Sequence, residues 1–173
     1  TKGTAFETVY AEVAALEDII KHLKKEEADR NKVERDVRTQ VERPTELLDG
    51  MLLDQQPTAV KDETELLRYC HAVAGTVGLM MCRVLDCQHA RADQFAIDLG
   101  IAMQLTNIAR DVLEDGKMGR RYIPADWANY TAEDIAQAQP QCRDSVAMAT
   151  KRLLNLAEKY YTSALLGIQL LPF

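Results

Sequence analysis

Apolar residues recur along the start of the chain at Phe6, Val9, Val13, Leu16, Ile19, Ile20 and Leu23, three and four apart. That period predicts a helix from Phe6 to about Gln40, a stretch without glycine or proline. From Lys24 to Arg43 the apolar stripe gives way to mixed charge, KKEEADRNKVERDVRTQVER, read as a solvated helix face with i,i+4 pairs. Pro44 at a first-turn position opens a short helix through Leu47, Leu48, Met51 and Leu52, and Pro57 ends it. Asp62 followed by Glu65 is a capping arrangement for a helix from Glu63 to Leu85. A further helix is predicted from Ala90 to about Asp115, then a GKMGRR loop and an extended exit at Tyr122-Ile123-Pro124. Thr131 with Asp134 starts another helix, and Val146, Leu153, Leu154, Leu156, Tyr160, Tyr161 and Leu165 keep a helical period from Gln141 to Leu166. No segment alternates as a strand does, and no fixed-period repeat is present. The predicted class is all-α.

The most informative helix reads DLGIAMQLTNIARDVLED. Gln104, Asn107, Asp111 and Asp115 are three, four and four apart, which puts them on one stripe of a continuous helix. Ile101, Leu105, Ile108 and Val112 occupy neighbouring faces, so the helix reads as buried and the stripe as facing a cavity. Burying two carboxylates a turn apart is costly without a cation or hydrogen bonds. The amide oxygen of Asn107 with the carboxylates of Asp111 and Asp115 is an all-oxygen donor set of the kind magnesium accepts. The alternative is a solvated acidic helix end, which would oppose the helix dipole. Arg110 lies in or beside this stripe. Arg120 and Arg121 follow in the loop, where a guanidinium can grip a phosphate or simply solvate a turn.

The preceding helix reads LLRYCHAVAGTVGLMM. Gly75 and Gly78 weaken it, so something approaches its backbone closely, either another helix or a ligand. Tyr69 is placed on one stripe with Val73 and Val77. Val73, Val77, Leu79, Met80 and Met81 could line a hydrocarbon tunnel, or simply form core. His22, His71 and His89 have no second ligand at metal spacing and read as packing residues.

The length of 173 residues suits one domain, with residues 1–42 as a charged helical segment and 43–173 as the main body. At 47% hydrophobic and 28% charged the chain can bury a core, and 8 glycines and 5 prolines fit long helices. Lysine and arginine number 21 against 27 acids, a net charge of -6, which argues against nucleic-acid binding. No apolar run reaches membrane-span length and no signal peptide opens the chain. Cys70, Cys82, Cys87 and Cys142 lack paired metal spacing and read as reduced core thiols of a cytoplasmic protein. The absence of Glu-x-x-His pairs excludes a di-iron bundle.

YCHAVAGTVG at 69–78, QLTNIARDVLED at 104–115 and GRRYIP at 119–124 resemble the squalene/phytoene synthase family, most of all its bacterial phytoene synthases. RPTELLDGM at 43–51 and AEKYYTSALLGIQLLP at 157–172 are similar too, so the resemblance spans about Arg43 to Phe173 and leaves residues 1–42 without a visible match. It implies an all-α isoprenoid synthase bundle around a central cavity. It also implies a head-to-head prenyltransferase joining two prenyl diphosphates through a cyclopropyl diphosphate, with Mg2+ as cofactor, in carotenoid biosynthesis. Geranylgeranyl diphosphate giving phytoene is the first expectation, and squalene or dehydrosqualene synthesis from farnesyl diphosphate the second. By position, Asn107, Asp111 and Asp115 would bind magnesium and diphosphate, and Gln104 would sit at the reacting end of the cavity. Tyr69 would line it near the diphosphate, Arg120 and Tyr122 would close over that group, and Val73, Val77 and Gly78 would shape the hydrocarbon channel. The family's first aspartate-rich motif and its last helix have no counterpart here, since Glu17-Asp18 and the acids scattered through the charge run do not stand in the motif's setting. The bundle is therefore expected to be incomplete, which leaves a non-catalytic interaction or assembly role as a third reading. Lipid substrates would place the protein at a membrane surface.

Overall fold

The structure, a computed structural model, describes residues 3–37, 43–53, 58–87 and 89–172. Pro57, expected to end the second helix, lies outside them. Contacts divide the chain into two units, residues 1–40 and 41–173. The first unit is one helix, α1 (Gly3–Val37). Leu16, Ile19, Ile20 and Leu23, which set its period, are exposed, and His22 faces Glu26 one turn on at 3.5 Å.

The second unit begins with α2 (Arg43–Leu53). α3 (Glu63–Cys70) starts where expected: the Asp62 carboxylate accepts from the Glu65 N–H at 2.8 Å, and the Glu65 carboxylate accepts from the Lys61 N–H. The expected run to Leu85 is not uniformly α-helical. Residues His71–Gly75 form a π-helical segment, closed by the Thr76 N–H donating to the His71 carbonyl, before α4 (Thr76–Val84) resumes. The Thr76 hydroxyl, fully buried, donates back to the Ala72 carbonyl at 2.7 Å.

α5 (Ala92–Arg110) is likewise shorter than predicted. At Asp111 the backbone leaves helical geometry (φ -101°, ψ 16°), and α6 (Val112–Lys117) restarts after it. The bonds from Asp111 N–H to Asn107 and from Asp115 N–H to Asp111 persist, so this is a bend and not a full stop. Gly119 turns the loop with φ +76°. The exit strip is pinned to residues 58–60: Val60 N–H donates to Arg121 and Arg121 N–H to Thr58. α7 (Ala132–Ala136) carries the expected capping box between Thr131 and Asp134. α8 (Pro140–Leu165), with proline in its first turn, leads to a 3₁₀ turn at Ile168–Leu170.

α5 and α8 form the most extensive helix pair of this unit. Leu66, Cys70, Ile101, Leu105, Ile108, Ile123, Leu153 and Ala157 make its core. All four cysteines are buried and free. Among the described residues no strand forms, and no helix is long and apolar enough to cross a membrane.

Candidate functional site

Helices α4 and α5 run antiparallel at backbone contact, because small residues meet at every turn. A Cβ on Gly78 would overlap the Ala96 carbonyl, and one on Gly100 would overlap the Ala74 carbonyl. Four residues further along, the Cys82 thiol donates to the Ala92 carbonyl at 3.7 Å. The pairs 74/100, 78/96 and 82/92 therefore share one register. Of the two readings for Gly78, close approach of another helix is the one the packing satisfies.

The outer flank of this pair forms the wall of an apolar trough of about 560 Å3. α5 supplies Ala92, Phe95, Ala96, Leu99, Gly100, Met103, Gln104 and Asn107, steps of three and one that keep a single helical face. Val73, Val77, Gly78 and Met81 line the facing helix, and Gly167 and Leu171 cross one end. Leu99, Met103 and Met81, roughly half exposed, edge its open side. Gln104 and Asn107 thus stand as polar groups at one end of a hydrocarbon-lined channel.

The acidic residues depart from the expected stripe. Asp111 and Asp115 are not among the residues that line the trough, and the backbone leaves helical geometry at Asp111, between them and Asn107. Asp111 is partly exposed and gripped by its neighbour: Arg110 Nε donates to one carboxylate oxygen at 2.7 Å and Nη2 to the other at 2.6 Å. That fork holds the Asp111 carboxyl below the usual carboxylate range. Arg110 itself borders a separate groove against α8, not the trough. Asp115 lines a small cleft with Arg120, Tyr122 and Ile108, and its carbonyl accepts from the Arg120 N–H at 2.9 Å. The expectation that a buried stripe carries both carboxylates into one cavity is thereby corrected.

Tyr69 also leaves its predicted stripe. The π-helical segment lies between it and Val77 and shifts the phase, so Val73 and Val77 line the trough while Tyr69 turns aside. Its ring stacks on Tyr122, with centroids 4.7 Å apart and planes 21° apart, and Tyr122 is buried. Arg121 is structural: its guanidinium donates to the carbonyls of Val60 (3.0 Å) and Tyr130 (3.3 Å), and burial lowers its pKa.

The donor chemistry of Asn107, Asp111 and Asp115 fits magnesium, which takes one or two carboxylates and completes its shell with water and phosphate oxygens. Among the described residues no three His, Cys, Asp or Glu side chains converge on one metal position, so these residues amount to part of a site.

Sequence reasoning missed Asp98, the one buried carboxylate among the described residues. It accepts from Gln94 Nε2 at 2.9 Å and from the Ser163 hydroxyl, tying α5 to α8. Tyr160 beside it has a raised pKa, from burial first and the Asp98 charge second. Phe95 was also missed, although its spacing from Leu99 and Met103 carried the signal.

Three comparisons bear on this arrangement. The Squalene/phytoene synthase family profile matches residues 13–173, beginning inside α1. A phytoene synthase of Pseudescherichia vulneris is 43% identical over 128 residues, covering 72% of this chain and 41% of that protein. Among solved structures, a dehydrosqualene synthase in complex with ligand aligns with a TM-score of 0.62 at 31% identity, over 75% of this chain and 46% of that one. The squalene synthase HpnC from Alicyclobacillus acidocaldarius shares the fold, with a TM-score of 0.64 at 21% identity, over 76% of this chain and 50% of that one. The chain spans about two fifths of the length of the phytoene synthase it matches.

Proposed function

The chain belongs to the squalene/phytoene synthase family, and from that premise we propose that it serves the Mg2+-dependent head-to-head condensation of two prenyl diphosphates. Geranylgeranyl diphosphate is the proposed substrate and phytoene the product, formed through a cyclopropyl diphosphate. The observation that carries this reading is the apolar trough ending at Gln104 and Asn107, one turn before an acidic helix bend. Such a channel suits a molecule that is hydrocarbon along most of its length and an anion at one end.

In this proposal Val73, Val77 and Gly78 hold the prenyl chain and exclude water from the allylic cation that forms when the diphosphate leaves. The Gln104 amide oxygen, at the polar end of the trough, turns a negative dipole toward that cation. Asn107, Asp111 and Asp115 would hold magnesium, which when bound supplies the positive charge that makes diphosphate a good leaving group. Arg110, outside the trough, acts here by orienting Asp111 through its two-pronged contact and not by touching substrate. Arg120 donates to diphosphate oxygens from the cleft it shares with Asp115. The Tyr69–Tyr122 stack braces that loop. Lipid substrates would bring the protein to the cytoplasmic membrane surface.

The dehydrosqualene synthase likeness at 31% identity favours farnesyl diphosphate as the second substrate candidate. Incubating the full-length protein with magnesium and each diphosphate, and identifying the hydrocarbon by mass spectrometry, separates the two. Asp111→Ala is expected to lower product formation by at least about 100-fold, the scale of losing one electrostatic stabiliser. Unchanged turnover in that variant would remove Asp111 from the site. If no hydrocarbon forms and no prenyl diphosphate analogue raises the melting temperature in magnesium, the non-catalytic interaction reading replaces the enzymatic one.

A further inference from the structure

We infer that Cys82 and Cys87 form a dithiol site at the apolar end of the trough, one that closes reversibly into a disulfide when a small organic disulfide reaches it. The backbone brings the two together. At the end of α4 the Cys87 N–H donates to the Cys82 carbonyl at 2.9 Å, and inside that bond the Asp86 N–H donates to the Arg83 carbonyl at 3.1 Å. Asp86 makes the turn in the left-handed region, with φ 54°. Paired bonds around a left-handed residue are a common way to finish a helix, and the two outer side chains then meet in an apolar contact. Here both outer residues are cysteines.

Both are free and buried, in a small cluster with Ala92 on which Ala96 and Leu171 pack. The two thiols lie within hydrogen-bonding reach of each other, and the Cys82 pKa is pushed up to about 11 by burial first and by Cys87 next. Cys82 therefore rests as the neutral thiol and sheds its proton only as its sulfur reacts. A buried thiol is inert when nothing reaches it. These two line the trough, whose open side admits a small uncharged molecule, and neither Cys70 nor Cys142 lines it.

The chemistry is thiol–disulfide exchange. One cysteine sulfur, losing its proton, attacks a sulfur of the reagent, breaks its S–S bond and releases one small thiol, which takes up the proton. The second cysteine sulfur then attacks the first, losing its own proton and expelling the other half of the reagent as a second small thiol. One S–S bond breaks and one forms; the cysteine pair is oxidised by two electrons and the reagent is reduced by two. Closure also removes the proton that the Cys82 thiol donates to the Ala92 carbonyl at 3.7 Å, one of the contacts between α4 and α5.

The test is redox equilibration of the full-length protein with mixtures of 2-hydroxyethyl disulfide and 2-mercaptoethanol, approached from the reduced and the oxidised side. Acid quenching, alkylation in denaturant and peptide mass mapping then give the fraction closed and the cysteines joined. The same titration in urea supplies the unfolded reference, where two thiols on a short flexible segment meet at only about millimolar effective concentration. The folded protein should close Cys82 to Cys87 about tenfold or more in favour of the disulfide relative to the unfolded chain, because the helix end already holds the sulfurs together. A folded protein that stays reduced, or closes no more readily than the unfolded chain, overturns the proposal. So does a disulfide that joins either residue to Cys70 or Cys142 in place of its neighbour.

Discussion

Asp98 illustrates how one side chain can join two helices. Its carboxylate lies between α5 and α8 and accepts from Gln94 on its own helix and Ser163 on the other. Hydrogen bonds to a charged acceptor are worth about 1.5–3 kcal/mol each. Asp98→Ala should lower unfolding free energy by about 2 kcal/mol in a urea titration, whereas Asp98→Asn, which keeps an acceptor, should cost less. A variant as stable as the parent would mean that the pair is solvated in solution. Asp98 was not legible in the sequence because its partner Ser163 is 65 positions away. Gln104 and Asn107 were legible because spacing along a single helix fixes which face they share.

At the scale of elements, local chemistry announced the helix starts and tertiary packing decided the irregularities. The Asp62–Glu65 and Thr131–Asp134 caps are readable because each partner is three residues from the other. The π-helical segment at His71–Gly75 is not, since i→i+5 bonding has no composition signature. It displaced Tyr69 from the stripe with Val73 and Val77. The bend at Asp111 was hidden too, as no glycine or proline marks it. Gly78 was flagged by its cost to the helix, yet only the structure supplies Ala96 as the reason. Gly78→Ala would gain about 1 kcal/mol of helix propensity but force the two backbones apart, typically a cost of about 1–3 kcal/mol or more. We expect net destabilisation for Gly78→Ala and for Gly100→Ala, seen as a lower denaturation midpoint. Gly119→Ala, with φ +76° and open space around it, should instead cost only backbone strain of about 1 kcal/mol.

For the whole molecule, alkaline pH is the natural stress. Burial pushes the Cys70 thiol from 9.0 to about 12 and the Cys82 thiol to about 11, and it also raises the Tyr160 phenol. A group whose folded pKa is raised keeps its contribution below the unfolded pKa and loses it as pH rises toward the folded one. Unfolding free energy should thus be level near neutrality and fall from about pH 9 toward pH 12. Cys70→Val should flatten part of that fall in guanidinium titrations repeated across the range, and an identical slope would deny Cys70 its share. On the acid side, Asp111 and Asp134 have lowered values from their Arg110 and Thr131 partners, so their contributions are full above the ordinary carboxylate pKa and fade as pH falls from there toward the lowered one.

The pairs 74/100, 78/96 and 82/92 repeat every turn, like the teeth of a rack. The teeth are unlike, however, since the glycine sits on α5 in the pair 74/100 and on α4 in the pair 78/96. One notch of slip would move one wall of the trough past the other by about 5.4 Å and bring Cys82, which carries a Cβ, against the Ala96 carbonyl. The alternation of glycines between the two helices therefore sets how far along they lie as well as how near, and the Arg83–Asp93 contact at 2.6 Å holds the same register.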